Sequence, residues 1–136
     1  MLKRFSISLE DELLTIFDEH IMARSYTNRS EAIRDLIRKE FIKDEWQADK
    51  KVMGVISLVY DHHQHKLQEK VTLVQHDYHH YIVSTTHVHM DHNNCLEVIV
   101  VRGKAKEVQE LADRLKALRG VRDASLAMSS TGEFLH

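Results

Sequence analysis

His87 and His89 stand one residue apart in a stretch rich in β-branched residues, and Cys95 follows after Asp91-His92-Asn93-Asn94. Residues two apart in a strand leave the same face, so both imidazoles point one way. Asp and Asn supply turn chemistry, and a hairpin closed by that turn puts Cys95 beside the two histidines on the adjacent strand. Two imidazoles and a thiolate then converge, and His76, at the end of the preceding helix, is the candidate fourth donor. Glu97 shares the strand face of Cys95, where it could accept a hydrogen bond from a ligand histidine and fix its tautomer. Nitrogen and sulfur donors exclude magnesium and calcium, which take oxygen. Zinc suits a tetrahedral version; nickel(II) or copper(II) suits a planar one, with copper ahead on affinity. Spacing does not separate these metals.

Histidine is the compositional outlier, with 11 copies in the chain. Outside the proposed donors, His62, His63, His65, His79, His80 and His92 flank turns and strands and read as solvated surface, with weak extra metal binding open to them. A catalytic reading would make Cys95 a nucleophile and a neighbouring histidine its base. Nothing resembles an oxyanion hole, so no enzyme is expected.

The elements that must position these side chains follow from periodicity. Residues 52–60 form an apolar run with β-branched residues, a strand. Leu67, Val71, Val74 and Tyr78 recur at helical spacing. Residues 81–90 and 96–102 read as two strands across the Asp-Asn turn. Val108, Leu111, Leu115 and Leu118 mark a helix, with Gly120 at its expected C-terminal cap, and residues 121–128 form a last strand. Strand, helix, strand, strand, helix, strand is the ferredoxin-like βαββαβ order.

The first part of the chain has another rhythm. Residues 2–9 alternate, with Phe5, Ile7 and Leu9 on one side and Arg4, Ser6 and Ser8 on the other. Leu13, Leu14, Phe17 and Ile21 mark a helix; Asn28-x-x-Glu31 reads as a capping box for a second, with Ile33, Leu36, Ile37 and Phe41 as its stripe. The polar stretch 44–51 reads as a linker or frayed helix end. An α+β chain with domains at 1–48 and 52–136 is therefore expected. A lone strand with two helices buries too little apolar surface to stand alone, and its edges are open. Pairing two copies edge to edge cures both faults and makes an obligate dimer. The resulting ribbon fits the major groove of DNA, with Arg4, Ser6 and Ser8 able to reach base edges. Arg29 and Ser30 open the second helix, where free N–H groups favour a phosphate.

Composition limits the alternatives. With 136 residues, 43% of them hydrophobic, the chain can build a core. Lysine plus arginine total 19 against 21 acidic residues, a net charge of −2, so any DNA contact belongs to a local surface and not to bulk charge. A single cysteine excludes an intrachain disulfide and suits a reducing cytoplasm. No apolar run approaches a membrane span.

Arg4-Phe5-Ser6-Ile7-Ser8-Leu9, followed by Asn28-Arg29-Ser30-Glu31-Ala32-Ile33-Arg34-Asp35, resembles the ribbon-helix-helix DNA-binding domain. The run from His87 to Val98 resembles the metal-site motif of the nickel-responsive repressor family, NikR, whose members join such a domain to a ferredoxin-like domain of the ACT type. The resemblance covers nearly the whole chain. It implies nickel(II), one per chain, held in a square plane by His87, His89 and Cys95 of one chain and His76 of a neighbour. It implies a homotetramer, a dimer of dimers, that binds double-stranded operator DNA and represses nickel-uptake genes. It also implies a second cation between domains at carboxylates matching Glu31 and Asp35. The alternatives are a sensor of zinc, copper or cobalt, and an ACT-type module that binds a small molecule.

Overall fold

The computed structural model describes residues 1–136, which divide into two compact units, Met1–Lys39 and Glu40–His136. In the first unit, α1 (Asp11–Ala23) is followed by the start of α2 (Arg29–Gln47). Asn28 caps α2 as its sequence position suggests: its Oδ1 accepts the Glu31 N–H at 2.9 Å. The reciprocal half of the capping box is not made, because the Glu31 carboxylate is taken by Arg34.

Residues 1–10 form neither helix nor strand within the single chain. The strand expected at 2–9 is thus not formed here, for a physical reason: a strand needs a ladder partner, and no segment of this chain offers one. Its apolar side chains stay uncovered, Phe5 at 75% and Ile7 at 64% exposure. Leu13, Ile16, Leu36 and Ile37 on the two helices are also exposed.

The second unit is a four-stranded antiparallel sheet of β1 (Lys51–Asp61), β2 (Ile82–His89), β3 (Asn94–Lys104) and β4 (Val121–Met128), in the order β2-β3-β1-β4. Helices α3 (His65–Asp77) and α4 (Ala105–Lys116) make the two crossovers. This is the ferredoxin-like arrangement, and it follows from the alternation. On β1, Val52, Ile56, Leu58 and Tyr60 turn inward; on β3, Cys95, Glu97, Ile99 and Val101 do. They meet Leu67, Val71 and Val74 of α3 and Val108, Leu111 and Leu115 of α4. Each fully buried aliphatic side chain contributes about 1.5–3 kcal/mol.

Of the two readings of 44–51, linker or frayed helix end, the structure takes the second and firms it. α2 runs on to Gln47, and Trp46 is buried in the core of the second unit, its indole donating to the Ser129 carbonyl at 2.9 Å. Asp49 then accepts the Lys106 N–H at the start of α4, also at 2.9 Å. Helix α4 ends at Lys116, earlier than expected. Gly120, at φ +103°, serves the turn into β4 and not the helix cap, and a Cβ there would meet Leu67 Cδ2 at 2.9 Å.

Candidate metal centre

The β2–β3 hairpin builds the site. Asp91 closes its turn, with Oδ1 accepting the N–H groups of Asn93 at 2.9 Å and Asn94 at 2.7 Å. That turn sets the register in which His89 pairs with Cys95 and His87 with Glu97. Directly paired residues share a face, so all four side chains lie on the face that carries the core. The His87 and His89 ring centroids are 5.1 Å apart. Cys95 is fully buried and its thiol donates to the Tyr60 carbonyl at 3.3 Å.

Burial pushes the Cys95 thiol above its usual range, and the Glu97 carboxylate adds to this. Burial is also the main cause that pushes the Tyr60 phenol up, so that its O–H stays a donor. That O–H donates to Glu97 Oε2 at 3.3 Å. His87 Nδ1 stands 4.0 Å from Glu97 Oε1, longer than a hydrogen bond, with the His87 ring edge-on to Tyr60. Tyr60 therefore touches both Cys95 and Glu97, and nothing in the sequence pattern singles it out; the strand register that brings it there is a tertiary fact.

The donor set fits a borderline metal: two neutral-capable imidazoles lie beside a thiol that gives up its proton only to a strong partner. His76 is not part of this group within one chain. It is exposed near the end of α3, its ring stacked on His79 at 5.7 Å and its carbonyl facing His79 Nδ1 at 2.9 Å. A second set of rings, read in the sequence as solvated surface, is packed together. His62 lies 4.2 Å from His63 and 4.8 Å from His89, and His63 lies 5.2 Å from His92. Burial lowers the His62 pKa, with the charges of His63 and His89 adding to the effect.

The residues expected at DNA are placed as follows. Arg4, Ser6 and Ser8 are all exposed on the unpaired N-terminal segment. Ser30 is exposed in the first turn of α2, whereas Arg29 is held in a fork by Asp18 of α1, at 2.9 and 2.8 Å. Of the two carboxylates expected at a second cation, Glu31 pairs with Arg34, and Asp35 takes the Tyr26 hydroxyl and Lys39 Nζ, the latter at 3.0 Å. No helix is long and apolar enough to cross a membrane.

Two N-terminal helices ahead of a ferredoxin-like domain whose hairpin gathers a histidine–cysteine donor set define a candidate metal-binding protein. Comparison with known proteins agrees. Residues 53–129 match the family described as NikR C terminal nickel binding domain, and residues 3–43 match ribbon-helix-helix protein, copG family. A protein of Desulfotalea psychrophila named "Putative nickel-responsive regulator" is 71% identical over 136 residues, 100% of both chains. One of the same name from Syntrophus aciditrophicus is 51% identical over 130 residues, 96% of this chain and 95% of that one. The chain belongs to the NikR family. A solved structure of an uncharacterized protein from Thermotoga maritima, 16% identical, matches with a TM-score of 0.53 over 57% of this chain and 96% of that chain, a likeness of fold alone.

Proposed function

We propose that the protein is a nickel-responsive DNA-binding transcriptional regulator, and no enzyme, which represses nickel-uptake genes when nickel is bound. The observation that carries this reading is the register of the hairpin, which lays His89 against Cys95 with His87 beside them on one face. His87, His89 and Cys95 hold one nickel(II) per chain, and His76 of a neighbouring chain supplies the fourth donor. The exposure of His76, away from its own chain's donors, supports a ligand that reaches another chain. Bound nickel would supply the bond energy that joins the chains; the protein supplies the donors, the Tyr60 carbonyl against the Cys95 thiol, and the burial around that thiol.

DNA is bound by the paired N-terminal segments of two chains, with Arg4, Ser6 and Ser8 on the outward face and Ser30 near a phosphate. The uncovered Phe5, Ile7, Leu13, Ile16, Leu36 and Ile37 support that pairing, because a monomer would leave them in water. Arg29 acts in this account chiefly through its pair with Asp18, which ties α1 to the start of α2. The other face of β1 and β3 carries Val55, Val59, Leu96, Val98 and Val100, none fully covered, which supports joining of ACT-like domains into a homotetramer in the cytoplasm. The test is a nickel titration followed by absorption, with operator binding measured in parallel. The reading requires an intense sulfur-to-nickel charge-transfer band, and operator binding that rises with it. Zinc or cobalt that drives operator binding as well as nickel would transfer the reading to another metal.

A further inference from the structure

The turn between β1 and α3 gathers three groups that the nickel donor set does not use. Asp61 is the last residue of β1, and His62 and His63 follow it. Their candidate ligand atoms, one from each, all lie within 4.8 Å of one another. The turn is held from two directions. The His62 N–H donates to the Asn93 carbonyl of the β2–β3 turn at 3.2 Å, and the His63 N–H donates to Asp61 Oδ1 at 2.9 Å. His63 Nδ1 also stands 3.2 Å from the same oxygen. His62 Nδ1 is shut off from solvent and has no hydrogen-bond partner, which is unusual for a buried polar atom. The His62 ring is wedged between His63 and the edge-on His89, so it cannot swing out to water without breaking both contacts.

The geometry points to a second, separate divalent-metal site formed by Asp61, His62 and His63, which takes a borderline ion such as zinc, cobalt or nickel. A carboxylate and two imidazoles suit these ions, and the nitrogen donors disfavour magnesium and calcium. Three donors from one turn leave coordination positions open to water. His92 packs on His63, and the Arg122 charge, which acts on Asp61, competes with an ion for that carboxylate. An ion here staples the end of β1 to the residues ahead of α3. The site shares no donor with His87, His89 and Cys95, so it stands or falls independently of the nickel reading.

The test uses the full-length chain carrying His87→Ala and Cys95→Ala, which dismantles the nickel donor set. Zinc and cobalt are titrated against a chelator, and ring nitrogens are followed by NMR in both this chain and wild type. The expected result is binding of one ion, with shifted His62 and His63 ring nitrogens, a cobalt spectrum without a thiolate band, and loss of that binding on adding His62→Ala with His63→Ala. Asp61→Asn, which keeps the shape of the turn, is expected to weaken the same binding. No ion held by the His87→Ala, Cys95→Ala chain would overturn the proposal. So would an ion that leaves the His62 and His63 ring nitrogens of the wild-type chain unmoved.

Discussion

Cys95 sets the conditions under which the metal can bind. Its thiol is buried, and burial raises its pKa, so at neutral pH the metal-free chain holds a proton there. Nickel bound through sulfur must displace that proton, and affinity is therefore expected to rise with pH, by about tenfold per unit below the raised thiol pKa and to level off above it. Cys95→Ala should remove the charge-transfer band altogether; a band that survives would mean that sulfur is not a ligand. Tyr60 tests the support around the donors. Tyr60→Phe removes the O–H that Glu97 accepts while keeping the ring in the core. Loss of such a supporting hydrogen bond should weaken nickel binding by about 10–100-fold, with thermal stability lowered only by the worth of one hydrogen bond, about 1 kcal/mol. Equal nickel affinity in Tyr60→Phe and wild type, measured by chelator competition, would remove Tyr60 from the account.

At the scale of elements, Trp46 carries the end of α2 into the second unit. Trp46→Ala should cost about 3–5 kcal/mol of stability, read by urea unfolding, because both a large buried ring and the bond to the Ser129 carbonyl are lost. A change under about 0.5 kcal/mol, typical of surface positions, would contradict its place in the core. This residue also shows where the sequence runs out. Its neighbours are polar, so 44–51 reads as a linker or a frayed helix end, and one aromatic in a polar stretch cannot announce the core it joins. β4 and the β2–β3 hairpin were legible because alternation and an Asp-Asn turn are local signals. Those same signals placed His87, His89 and Cys95 on one face. The grouping of His62 with Asp61 and His63 was not legible, since ring packing against His89 depends on how the β1–α3 turn meets the hairpin. The N-terminal strand was readable as a pattern, yet residues 1–10 form no strand within the single chain; the proposed pairing of two chains would supply the missing ladder partner.

At the scale of the whole molecule, the proposed function depends on contacts one chain does not make. Arg4 lies on the exposed N-terminal segment, and Arg4→Ala is expected to lower operator affinity by about 1–3 kcal/mol per lost contact to a base, with nickel affinity unchanged. Operator binding equal to wild type in a filter or fluorescence assay would sink the ribbon assignment. The coupling between metal and DNA is a matter of differential affinity: nickel can favour the DNA-competent arrangement only if it binds that arrangement better. In the proposed function a fourth bond from His76 of a neighbour would supply the difference, since it would exist only when the neighbour is correctly placed. Driving such a switch from mostly off to mostly on takes about 5.5 kcal/mol, within reach of a metal–nitrogen bond in a preformed site.

The most direct measurement is operator affinity with and without nickel, in wild type and in His76→Ala, at fixed salt. His76 is exposed and outside the core, so the variant should fold and associate as wild type does. The account predicts that wild type gains strongly on adding nickel, whereas His76→Ala loses most of that gain even where the remaining three donors still hold the ion. An equal nickel-induced gain in both proteins would contradict it, because the coupling would then run without the ligand that joins the chains.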